Sequence, residues 1–237
     1  MFITTKGIVL RTYPFRDNKL IAKIFTQSDG LVSFVIKKNK SQSMLSELLT
    51  MAEITYKKPK TSSLVYIKEC QADYIYKSLT TNSCKIECSI VLCEILNKCV
   101  NEQNLLLYSF ITDGLKYLDE SNPMPVSFNS FFLIKFCEVM GIKPLDPGIK
   151  NRNQMFLNMA EGHYVEKETS GKEGFFVPSI ESLEIYNLSC LDFSNLKHYA
   201  APYHVNASVF NYLVSYISIH LADLTKLNSI KVLNEIL

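Results

Sequence analysis

Residues 20–37 read Leu20-Ile21-Ala22-Lys23-Ile24-Phe25-Thr26-Gln27-Ser28-Asp29-Gly30-Leu31-Val32-Ser33-Phe34-Val35-Ile36-Lys37. Two short apolar runs, Leu20–Thr26 and Leu31–Lys37, lie either side of a four-residue break. Asp29-Gly30 supplies the positive φ that a tight turn requires, so the stretch predicts a β-hairpin. Strand patterns continue on both sides. Thr4–Tyr13 is rich in β-branched residues, with Ile8 and Leu10 alternating against Val9 and Arg11. Leu48–Lys58 sets Ala52, Ile54 and Tyr56 on one side and Glu53, Thr55 and Lys57 on the other. Leu64–Tyr76 is a fifth, longer strand pattern with room for a bend.

Five strands in so short a segment predict a small closed barrel. The five-stranded Greek-key barrel is the OB-fold, and a small SH3-like barrel is the competing arrangement. From Ser83 onward the period becomes helical. Residues 84–100 wrap Ile86, Ile90, Val91, Cys93, Ile95 and Leu96 around a helix, with Ser83 available as N-cap. Asn104 can cap a second helix over Leu105–Leu118, and Asn122-Pro123 ends that pattern. Ser127–Met140 predicts a third helix, closed by Gly141 as a left-handed cap. Asn206–Leu224 predicts a fourth, and Ser229–Leu237 a short terminal one. Between them residues 142–180, rich in Pro and Gly, form an irregular insertion in which Gly162–Val177 can make a small hairpin. The expectation is an α+β chain of two domains: a five-stranded OB-fold barrel over residues 1–82, then an all-helical domain over residues 83–237.

The chain has 237 residues, 25 Lys and Arg against 23 Asp and Glu, and a net charge of only +2. That total conceals an asymmetry. Residues 1–82 carry 13 basic against 6 acidic residues, a net of +7, and residues 83–237 carry 12 against 17, a net of −5. A basic module is joined to an acidic one. Hydrophobic residues make up 47% and charged residues 20%, which excludes a disordered chain. Lys6 and Arg11 interrupt the opening apolar residues, so no signal peptide is expected there. No apolar stretch is long enough for a membrane span, and no membrane partner is expected. The seven Cys form no CxxC pair, which favours a reduced, cytoplasmic setting over a disulfide framework.

Catalytic and metal chemistry have little to build on. Cys84, Cys88 and Cys99 share one side of a helix, but Cys99 lies about 22 Å along the axis from Cys84 at 1.5 Å per residue. Buried thiols are the stronger reading, so neither zinc nor any other cofactor is expected. His163, His198, His204 and His220 carry no metal-binding spacing. Neither GxGxxG nor GxxxxGK[ST] is present, so no phosphate-cradling loop of those kinds is visible. Nothing names a reaction, and a non-enzyme is expected.

A basic barrel has another use. Cations track phosphates, and aromatic rings stack on unpaired bases whatever their identity. Arg11, Tyr13, Phe15 and Arg16, with Lys19 just beyond, interleave cations and rings after the first strand. Phe34, Lys37, Lys38 and Lys40 do so around the third strand, and Tyr56, Lys57, Lys58 and Lys60 around the fourth. Phe34, inside an apolar run, reads as core. Tyr13 and Tyr56 are the stacking candidates, because a phenol tolerates exposure. The candidate nucleic-acid set is therefore Arg11, Tyr13, Arg16, Lys19, Lys37, Lys38, Lys40, Tyr56, Lys57, Lys58 and Lys60. The residues alone do not separate DNA from RNA, nor a nucleic-acid binder from a protein-interaction adaptor.

Three short motifs bear on that choice. The run Lys6-Gly7-Ile8-Val9-Leu10-Arg11, followed by Leu20-Ile21, Ile24-Phe25-Thr26 and Gly30-Leu31, resembles the amino-terminal signature of the bacterial RecO family of DNA repair proteins. Met159-Ala160-Glu161-Gly162-His163-Tyr164 resembles that family's mid-domain turn. His220-Leu221 with Lys226-Leu227-Asn228-Ser229-Ile230-Lys231-Val232-Leu233 resembles its carboxy-terminal end. The resemblance implies an OB-fold followed by a helical domain. It implies a recombination mediator that binds single- and double-stranded DNA, anneals complementary strands and helps place RecA on strands coated by single-stranded-DNA-binding protein. RecR and the acidic tail of that binding protein are the implied partners, with Lys197, Lys226 and Lys231 as candidates to meet the tail. Two departures stand out. The four-cysteine zinc site of many members is absent, and Asn39 stands where the family often has Gly; Asn also tolerates positive φ.

Overall fold

The computed structural model describes residues 2–37, 39, 41–58, 64–166, 175–200, 202–227 and 229. The chain divides into two compact units, Met1–Thr112 and Asp113–Leu237.

The first unit opens with strands β1 (Phe2–Phe15), β2 (Lys19–Thr26), β3 (Gly30–Lys37), β4 (Met51–Lys57) and β5 (Val65–Tyr74). They close into a barrel of order β1-β2-β3-β5-β4. All pairings are antiparallel except β3 with β5, which is parallel and short, Phe34 facing Val65 and Val35 facing Tyr66. That order, with a 3-10 turn at Ser43–Ser46 between β3 and β4, is an OB-fold. The core is Val9, Ala22, Ile24, Phe34, Ile36, Leu45, Ala52, Ile54, Tyr56, Val65 and Ile67. Leu45 comes from the 3-10 turn and is fully buried.

The simple alternation expected of β1 does not hold. The β1–β2 register shifts between Val9 and Arg11, leaving a bulge at Leu10. Ile8, Val9 and Leu10 are all buried, Val9 in the barrel core. A bulge adds one residue and reverses which face the following side chains occupy. Helix α1 (Ser83–Cys99) packs against β1, and the Cys93 thiol donates to the Leu10 carbonyl at 2.8 Å.

Asn82, rather than Ser83, caps α1, its side chain accepting from the Lys85 amide. Helix α2 (Leu105–Glu120) is capped by Asn104, whose Oδ1 accepts from the Leu107 amide at 2.9 Å. The β2–β3 hairpin docks on the α1–α2 connection. The Leu31 amide donates to the Asn101 carbonyl at 2.9 Å, and the Phe25 and Tyr108 rings meet at 5.9 Å. Gly30, at φ +68°, has no room for a side chain, because a Cβ would come within 2.6 Å of the Asn101 carbonyl.

In the second unit, α3 (Phe128–Val139) buries Phe128, Phe131, Phe132, Ile134 and Phe136 and packs against α4 (Ser179–Cys190) and α6 (Tyr203–His220). Gly141 ends the α3 segment at φ +75°, as its position suggests. The insertion is more ordered than its Pro and Gly imply. Strands β6 (Phe156–Asn158), β7 (His163–Val165) and β8 (Phe176–Val177) form a sheet of order β7-β6-β8. The hairpin is therefore β6–β7, turning at Gly162 (φ +69°), and lies earlier than the Gly162–Val177 hairpin read from sequence. Helix α4 and the one-turn α5 (Phe193–Leu196) have no counterpart in that reading. The Ser182 hydroxyl pins α4 to the sheet, donating to the Val177 carbonyl at 2.9 Å and accepting from the Leu157 amide at 2.8 Å. Most of the terminal helical pattern from Ser229 lies outside the described residues.

Candidate nucleic-acid interface

After the bulge, Arg11, Tyr13 and Phe15 share one face of β1, opposite Lys23, Ile21 and Lys19 of β2. Those three in turn face Ser33, Val35 and Lys37 of β3, and Val35 faces Tyr66 of β5. Directly opposed residues lie on the same side of a sheet. Their neighbours Ala22, Ile24, Phe34 and Ile36 fill the core, so this set occupies the outer face.

Three rows cross that face. The middle row is Tyr13, Ile21, Val35 and Tyr66, with both aliphatic members buried and the tyrosines exposed at its ends, Tyr66 at 57%. Strand spacing of about 4.8 Å places the two tyrosines roughly 14 Å apart. On one side runs Phe15, Lys19 and Lys37, and on the other Arg11, Lys23 and Ser33. The Lys19 ammonium stands 5.9 Å from the centre of the Tyr66 ring, and the Arg16 guanidinium 5.9 Å from that of Phe15.

The electrostatics of these rows are one-sided. Arg11 is opposite Lys23, and Lys19 is opposite Lys37. Like charges in direct cross-strand opposition are destabilising. Among the described residues, none of Arg11, Arg16, Lys19, Lys23 and Lys37 forms an ion pair with a carboxylate. An anion laid over the face would relieve both repulsions.

The sequence candidates divide accordingly. Arg11, Tyr13, Lys19 and Lys37 meet on the outer face, with Arg16 in the turn beside it. Tyr56 does not. Its side chain is in the barrel core, 1% exposed and edge-on to Phe34 with ring centres 5.0 Å apart. Alternation along β4 turns it inward with Ala52 and Ile54, so it offers no ring to a base. Its hydroxyl donates to the Asp29 carboxylate, and burial together with that carboxylate drives the phenol upward in pKa. Lys58 also donates to Asp29. Burial pushes Asp29 up, but the hydrogen bonds from Lys58, Tyr56 and Ser28 outweigh it and leave the carboxyl below its ordinary value. Lys57 is exposed at the end of β4, opposite Phe2. Phe34 is fully buried, as its apolar run indicates. Lys38, Lys40 and Lys60 lie outside the described residues, as does Lys231. Lys197 and Lys226 are exposed in the second unit.

Two face residues escaped the sequence reading, and both left a signal. Lys23 interrupts the apolar run of β2 in phase with Lys19. Tyr66 alternates with the buried Val65 and Ile67.

The cysteines stand apart from this face. Burial pushes the thiols of Cys93 and Cys99 up to about 12 and that of Cys88 higher still, so all three stay protonated at neutral pH. Among the described residues, no three His, Cys, Asp or Glu gather as metal ligands, and no helix is long and apolar enough to cross a membrane.

Residues 1–76, which hold all five strands, match the family model described as "Recombination protein O N terminal". Over the full chain, similarity extends to proteins named DNA repair protein RecO. That of Christiangramia forsetii is 26% identical over 246 residues, covering 100% of this chain and 99% of that protein. That of Phocaeicola vulgatus is 25% identical over 243 residues, again 100% and 99%. That of Flavobacterium psychrophilum is 26% identical over 249 residues with the same coverage. The chain thus carries a recombination protein O amino-terminal domain in its first 76 residues and is homologous, end to end and at modest identity, to curated DNA repair proteins of the RecO family.

Proposed function

We propose that the chain is a non-catalytic, DNA-binding mediator of recombinational repair. In this reading single-stranded DNA lies across the outer face of the barrel. Its phosphates run along the rows holding Arg11 and Lys23 and holding Lys19 and Lys37, and unpaired bases stack on Tyr13 and Tyr66. Holding one strand with its bases accessible is what annealing to a complementary strand needs. It also suits handing that strand to RecA from a coat of single-stranded-DNA-binding protein. RecR and the acidic tail of that binding protein are the proposed partners, with Lys197, Lys226 and Lys231 proposed to meet the tail. The proposed setting is the bacterial cytoplasm, at the nucleoid, with double-stranded DNA also bound.

The observation that carries this reading is the pair of unrelieved cation oppositions flanking two exposed tyrosines on an OB barrel. The names of the full-length relatives point to the same process. The test is fluorescence anisotropy with a labelled single-stranded oligonucleotide over a series of salt concentrations. A face that neutralises four or five phosphates should show a log–log slope of roughly −3, at about 0.7 per phosphate on single strands. A flat salt dependence, or absent binding, overturns the reading. Equal affinity for an RNA strand of the same sequence would reassign the polymer, because stacking serves either.

A further inference from the structure

The barrel closes through a short parallel seam, β3 against β5, with pairing only at Phe34–Val65 and Val35–Tyr66. In that register the next rung would run from the Lys37 amide to the Ile67 carbonyl. The direct bond is not made. Instead the carboxamide of Gln42 stands between the two groups. Its Oε1 accepts from the Lys37 amide at 2.8 Å, and its Nε2 donates to the Ile67 carbonyl at 3.2 Å. The side chain, 9% exposed, thus acts as an inserted peptide unit: one acceptor and one donor, each matched to a strand. It is itself held from behind. The Asn39 Oδ1 accepts from the Gln42 amide at 3.1 Å and from the Ser41 hydroxyl at 3.1 Å, and the Ser43 amide donates to the Asn39 carbonyl at 2.9 Å.

The position of this bridge matters. Lys37 leads to Lys19 by direct cross-strand opposition, and Ile67 follows Tyr66, whose ring lies beneath the Lys19 ammonium. The amide therefore sets the distance between the strand that carries Lys37 and the strand that carries Tyr66. We propose that Gln42 is a positioning residue of the outer face, its side-chain amide serving as a surrogate rung that fixes Tyr66 beside Lys19 and Lys37. The consequence for DNA rests on the function proposed above; the geometric claim does not.

Gln42→Met keeps length and volume but can neither accept from Lys37 nor donate to Ile67. In the full chain, amide hydrogen exchange should speed up at Lys37 by tenfold or more, with β1–β4 amides such as Thr5 unchanged. The ring-current shift that Tyr66 imposes on the Lys19 side-chain methylenes, identified by its loss in Tyr66→Ala, should shrink. In the native background Tyr66→Ala should weaken single-strand binding by about fivefold or more, the range of one stacked base. In the Gln42→Met background the same change should cost less than twofold. Unaltered exchange at Lys37, or an unaltered Lys19 shift, overturns the proposal. Equal Tyr66→Ala costs in both backgrounds do so as well. If Tyr66→Ala leaves binding untouched even in the native background, the DNA reading of the face falls, while exchange and shift still judge Gln42. Should Gln42→Met fail to fold, Gln42→Asn, one methylene too short to reach both partners, supports the same measurements.

Discussion

The two halves of β1 face opposite electrostatic worlds. Before the bulge, Lys6 stands opposite Glu53 of β4 and pairs with Asp73 of β5 at 2.5 Å, which holds its ammonium above the ordinary lysine value. Around it the same flank is balanced, Gln71 donating to Glu53 at 2.8 Å and Lys68 meeting Glu69 at 2.9 Å. Lys58 and Asp29 close the pattern. Beyond the bulge, Arg11 stands opposite Lys23, and Lys19 opposite Lys37, with no carboxylate partner among the described residues. A net charge of +7 over residues 1–82 is therefore not a coat spread round the barrel. On one flank Lys6, Lys58 and Lys68 meet carboxylates, whereas on the other Arg11, Lys19, Lys23 and Lys37 have no carboxylate partner among the described residues. The bulge at Leu10 separates the two by reversing the phase of a single strand.

Charge reversal should break that contrast with the largest effect. Lys19→Glu, Lys23→Glu and Lys37→Glu combined are expected to lower single-strand affinity at least a hundredfold at moderate salt. Removing three phosphate contacts should also flatten the salt slope by about 2. Lys6→Glu and Lys68→Glu, on the balanced flank, should change affinity by less than about threefold. Anisotropy titrations on both variants decide it. Equal losses from the two would mean that the barrel binds through net charge alone and that the faces do not differ.

Much of this was legible from the residues, and where it was not the reason is physical. The Asp29-Gly30 turn, the strand alternation of β4 and the shift to helical period at Ser83 each express a local rule, and the barrel and α1 follow from them. The bulge is different. Nothing local at Leu10 announces it, because Ile8, Val9 and Leu10 are all apolar and all buried, one by the core and the others on the side where α1 packs. Without the bulge, Arg11 and Tyr13 can be named but not placed with Lys23. Tyr56 cannot be placed from sequence for a related reason: a phenol is equally at home inside when a partly buried carboxylate accepts its hydrogen bond, and Asp29 comes from a distant hairpin. The ordered insertion, with α4 and its three strands, depends on the Ser182 contacts across 25 residues rather than on any periodicity.

The tyrosines sharpen the comparison on a smaller scale. Tyr66→Ala and Tyr13→Ala should each weaken single-strand binding by about 1–3 kcal/mol and leave duplex binding closer to native, since duplex bases are not free to stack. Tyr56→Phe should leave binding unchanged and instead lower stability by about 1 kcal/mol, the net worth of the hydroxyl's bond to Asp29. Paired binding and thermal-denaturation measurements separate the two classes. A loss of affinity from Tyr56→Phe would return that residue to the interface.

The smallest effect probes the balanced flank itself. Asp29 is held below its ordinary carboxyl value by Lys58, Tyr56 and Ser28, so the native state binds its proton less readily than the unfolded chain does. The stabilisation is then fully present above the unfolded value, near 3.8, and is lost as pH falls through the lowered native value. Asp29→Asn removes the charge while keeping the shape. At neutral pH it should cost about 1 kcal/mol, a modest figure because the Lys58 ammonium is well exposed to solvent. The difference from native protein should begin to close below about pH 4 and vanish only below the lowered native value, where both carry an uncharged side chain at position 29. DNA affinity should not move, because the face opposite gains and loses nothing. A gap that persists unchanged at low pH would show that the cost comes from the hydrogen bonding of the introduced amide rather than from the lost charge, and that the flank's ion pairs are not what distinguishes it.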